Sequence, residues 1–227
     1  EMPCAGVPLF SYLYHECAAG YGGDTKLVIE GPETELVKIG RTVAAGYLVQ
    51  VRLMLDEYGF DDVWAAVHHG EPLDRFSDLP TLKLLKNASH AGQTYGHDWM
   101  ILGKMRPHPK YEVSEFFELK KTRVYNGDRE EDIQPESAMV RVPVVLCTSY
   151  ISPEGTPAVV LINMSERKQK VKIQAPTLGP EWDGLTGRLI LTTNSGTESV
   201  GVPETEDELI LEIPGLQTGI LKPGNGR

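Results

Sequence analysis

Cysteine is scarce in this chain. Cys4, Cys17 and Cys147 are its three thiols in 227 residues, and no Cys-x-x-Cys pair occurs. An odd, sparse set excludes a disulfide scaffold and argues against a zinc site. Cys147 sits in an apolar run and is expected as a core thiol. Long apolar runs are missing too; none approaches the ~18 residues that a membrane span requires. Positive charge is in short supply, with 22 Lys and Arg against 32 Asp and Glu, a net charge of −10. The deficit is not confined to a tail: residues 1–110 carry 10 basic and 14 acidic side chains, residues 111–227 carry 12 and 18. Nucleic-acid binding needs a basic footprint and has none here. A neutral polar substrate such as a sugar is compatible with this balance. Internal repeats, low-complexity segments, a signal-peptide pattern, a GxSxG elbow and a HExxH helix are all absent, and no motif asks for a cofactor.

What is present changes character near residue 110. Val7–Tyr14 (VPLFSYLY) is a short apolar, aromatic-rich run with the length of a buried strand. The N-terminus enters it almost at once, which is expected of a segment cut from a longer polypeptide. A small-residue stretch follows, AAGYGGD over 18–24, where three glycines predict a loop. Thr34–Tyr47 repeats Leu36, Ile39, Val43 and Tyr47 at helical spacing, and Leu48–Leu55 (LVQVRLML) predicts a second strand. Residues 56–78 are mixed. A long helix is then expected from Ser77 or Asp78 to the prolines Pro107 and Pro109, with Pro80 in its first turn. Small residues on one stripe of it, Ser89, Gly92 and Gly96, allow close approach of a neighbour.

Beyond residue 110 the apolar period becomes two. Strands are predicted at 139–152, 157–165, 170–175, 188–193, 208–213 and within 215–223, with turn signals between them. That is the pattern of an antiparallel sandwich. The acidic stretch 126–137 reads as an exposed loop.

Strand, loop, helix, strand, helix is the grammar of a (β/α) barrel, and about two units fit before the sandwich begins. VPLFSYLYHE with its Gly-rich loop, PTLKLLKNASHAGQTYGHDWMILGKMRP, and AVVLINMS with a basic turn together resemble the C-terminal part of multi-domain bacterial glycoside hydrolases. In those enzymes the last barrel strands and helices lead directly into a β-sandwich. The resemblance is architectural and spans nearly the whole chain. It implies an α/β segment, the last βα units of a TIM-type barrel over residues 1–110, followed by an all-β accessory sandwich over 111–227. It also implies two partners, a carbohydrate substrate and the N-terminal remainder of the enzyme, on this or another chain.

Barrel enzymes carry their chemistry at strand C-termini. Tyr14, His15 and Glu16 end the first predicted strand. Glycoside hydrolysis needs paired carboxyl groups. Glu16 matches the nucleophile of the retaining barrel glycosidases if its strand is the seventh; its acid/base partner then lies upstream. The structural alternative is a strand-end Glu in a local salt bridge or cap. Tyr14, His15 and Asp24 are candidates for sugar hydroxyls, against a satisfied core histidine and a turn-capping aspartate. His68 and His69 point different ways, and His90 and His97 are two helical turns apart, ~10 Å of rise, too far to share a metal. Trp64 and Trp99 are expected to pack. Trp182 is either a sugar-stacking platform or the packing of a turn. Asn87 and Asn163 head glycosylation sequons that a helix and a strand end make poor acceptors.

Overall fold

The computed structural model describes residues 21–26, 32–52, 79–120, 123–126, 129–132, 139–182, 189–200 and 208–224. Among these the fold is β-rich. It is built as three layers: a three-stranded sheet, a six-stranded sheet, and helices.

The chain opens with β1 (Tyr21–Lys26), α1 (Pro32–Ala44) and β2 (Leu48–Arg52). The two strands pair in parallel, Tyr21 opposite Leu48 and Lys26 opposite Arg52. Residues 18–24 were expected as a loop, yet β1 begins at Tyr21. A register shift between Gly22 and Asp24 absorbs the glycines, as a bulge does. Two parallel strands joined by a helix form one βαβ unit. The described residues contain no closed barrel. The first predicted strand, 7–14, lies outside the described residues.

The long helix predicted from 77 to the prolines is interrupted. It forms as α2 (Pro80–Gln93) and α3 (His97–Met100). The break is a tight turn in which the Gly96 N–H reaches the Ala91 carbonyl at 2.8 Å and the Thr94 hydroxyl reaches that of His90 at 2.6 Å. A Cβ on Gly96 would lie 2.8 Å from Met100 Sδ, so the turn is closed against α3 by a residue without a side chain.

The remaining elements are strands. β3 (Lys104–Arg106), β4 (Tyr111–Val113), β5 (Phe116–Lys120), β6 (Arg123–Asn126), β7 (Arg129–Asp132), β8 (Met139–Pro143), β9 (Val145–Ile151), β10 (Pro157–Asn163), β11 (Gln169–Gln174), β12 (Leu189–Thr193), β13 (Gly196–Val200), β14 (Glu208–Ile213) and β15 (Thr218–Pro223) follow in order. The large sheet runs β13-β12-β15-β10-β9-β3 and the small one β14-β11-β4. The stretch expected as one strand over 139–152 splits at Val144. Pro143 offers no N–H, so β8 pairs with β5 and β9 with β10. The acidic stretch expected as a loop contains β7, which pairs back on β6 with Asn126 opposite Arg129.

Both faces of the six-stranded sheet are covered, which explains why β10 is apolar at nearly every position and buried throughout. Val159 and Leu161 point to the small sheet, where they meet Ile173, Leu211 and Ile213. Ala158, Val160 and Ile162 point the other way, to Ile39, Leu84, Trp99 and Met105. The helices therefore share one apolar core with the sandwich. Gly40 of α1 sits so close to the sheet that an added Cβ would fall 2.2 Å from Met164 Sδ.

Candidate functional site

Of the sequence-predicted site residues, Tyr14, His15 and Glu16 lie outside the described residues, as do Trp64, His68 and His69. Asp24 is placed by its backbone in β1, opposite Gln50 of β2. The aromatic and polar residues farther along the chain resolve into packing roles. Trp99 is buried, donates its indole N–H to the Thr156 carbonyl at 2.8 Å, and carries Lys222 Nζ 4.8 Å above its ring. Trp182 packs against the core between the two sheets rather than standing free as a platform. Cys147 is buried, and burial pushes its thiol well above the ordinary range. His90 and His97 are both exposed; His97 faces Asp98 at 3.5 Å, and His90 lies edge-on to Tyr95. Among the described residues no group of three His, Cys, Asp or Glu is gathered as a metal cage.

The sequon asparagines also serve the fold. Asn163 is fully buried at the end of β10. Its Nδ2 donates to the carbonyls of Arg167, Ile213 and Pro214 at 2.8, 3.1 and 3.0 Å, and its Oδ1 accepts from Ser165 N and Oγ at 3.0 and 2.9 Å. Three carbonyls on one side and an N–H on the other leave only one orientation of the amide. The side chain thus ties the β10–β11 turn to the end of β14. Asn87 on α2 donates to the Leu216 carbonyl at 2.7 Å and receives Asn194 Nδ2 on its own carbonyl at 3.2 Å. Tyr95 completes this seam with its hydroxyl 2.7 Å from the Thr218 carbonyl and 3.0 Å from Asn194 Oδ1. Leu216 adopts a left-handed φ of 55° beside Gly215, where a Cβ would lie 2.1 Å from the Glu166 carbonyl oxygen.

Beside this seam runs a groove of about 1100 Å³ along the outer face of α2. Val43 of α1, Tyr47 just beyond that helix, Met100 and Ile101 at the end of α3, and Leu216 line it together with Ala88 and Gly92 of α2. Lys83, Lys86, Gln93 and His97 mark its polar edge. Residues 79–97 contain no Asp or Glu at all, in a chain whose net charge is −10. The small residues of this helix were expected from the sequence, and its carboxylate-free stretch is legible there too.

No protein-family model matches the chain, and no curated protein matches it. Among solved structures, one similar chain is from Bacillus halodurans and is assigned as an alpha-N-acetylgalactosaminidase. It is 12% identical over 87% of the present chain and 32% of its own, with a TM-score of 0.33. The present chain thus spans about a third of the length of that protein.

Proposed function

We propose that this chain is the C-terminal segment of a glycoside hydrolase. In this reading residues 1–110 are the last βα units of a (β/α) barrel and residues 111–227 the sandwich on which they sit. The observation that supports it is the parallel β1–α1–β2 unit, followed by α2, with both helices docked on one face of a six-stranded antiparallel sheet. Parallel strands with a helical crossover need further strands to bury their edges, and barrel enzymes supply them in sequence order. Glu16 then acts as a catalytic carboxylate, with Tyr14, His15 and Asp24 hydrogen-bonding sugar hydroxyls. The partner carboxylate comes from elsewhere in the enzyme. The sandwich serves as a rigid base: its central strand β10 is buried on both faces and Trp182 lies partly buried against its core. That last observation favours support over glycan binding for residues 111–227.

The test is the chain's mass in solution from nanomolar to micromolar concentration, with hydrolysis of a panel of nitrophenyl glycosides followed in the same samples. The reading expects turnover that appears with self-association or with a second polypeptide and is abolished by Glu16→Gln without loss of fold. A stable monomer that neither hydrolyses nor binds a glycoside, or turnover indifferent to Glu16→Gln, refutes it.

A further inference from the structure

We draw no further inference here: the strongest candidate, the apolar groove along the outer face of α2 lined by Val43, Leu82, Leu85, Ala88, Gly92 and Leu216, carries nothing because nothing in the structure shows what covers it.

Discussion

Asn163→Ala should be among the most damaging single substitutions in the sandwich. The amide is fully buried and its two protons are shared among three carbonyls 2.8 to 3.1 Å away. Alanine removes the donor and leaves the carbonyls of Ile213 and Pro214 without it, in a region sealed by Ile213 and Leu216. It also takes the acceptor from Ser165 N and Oγ. A typical buried hydrogen bond contributes about 1 kcal/mol net, while a buried group stranded without a partner costs about 1–3 kcal/mol. Some of the stranded groups recover water at the turn, so the loss should be about 3–5 kcal/mol. That is a large fraction of the roughly 5–15 kcal/mol that holds a domain folded. Urea unfolding followed by tryptophan fluorescence measures it, and Lys172→Ala is the control. Lys172 reaches Glu208 only at 3.8 Å with both side chains about half exposed, and such a pair contributes within about 1 kcal/mol. A loss below about 1 kcal/mol for Asn163→Ala, at an unchanged m-value, would refute the view that this amide organises the turn.

Further outcomes follow from the same packing. Gly40→Ala should destabilise by about 1–3 kcal/mol despite alanine's better helix propensity, because its Cβ collides with Met164; Met164→Ala in the same chain should recover part of the loss in a double-mutant cycle. Tyr95→Phe should cost about 1–2 kcal/mol in thermal unfolding by leaving the Thr218 carbonyl without its donor. Burial pushes the Tyr150 and Tyr95 hydroxyls above their ordinary value of 10.0. The unfolded chain therefore releases these protons first, so their stabilising contribution is complete below pH 10 and is lost as pH rises above it; a stability-versus-pH curve that stays flat there counts against their burial. Cys147 should resist alkylation in the native chain and react on denaturation, as mass spectrometry of its peptide will show.

Much of the architecture is written in local pattern. Ile39 and Val43 repeat at helical spacing because α1 has one buried face, and that periodicity located the helix to within a few residues. Leu209, Leu211 and Ile213 alternate with exposed Ile210 and Glu212 because β14 has one wet side, and alternation is legible without a structure. The turn prolines and glycines separated these strands in the right order. Other features depend on what lies across the fold. β10 is apolar at nearly every position, and only the tertiary structure says that helices cover one face and a second sheet the other. The strand at Tyr21–Lys26 reads as loop because its glycines are poor strand formers; a parallel neighbour in register makes it a strand. Val144 ends one pairing and begins another because Pro143 withholds an N–H. The long helix ends at Gln93, and Gly96 closes the following turn against Met100 where a side chain would not fit. Asn163 looks like a sequon from its neighbours and becomes a clamp only when residues 213 and 214, fifty positions away, bring their carbonyls to it. Hydrophobic period and turn chemistry act within a few residues of sequence. Which face is covered, which amide is satisfied and which groove stays open depend on contacts between distant parts of the chain, and those the tertiary structure alone decided.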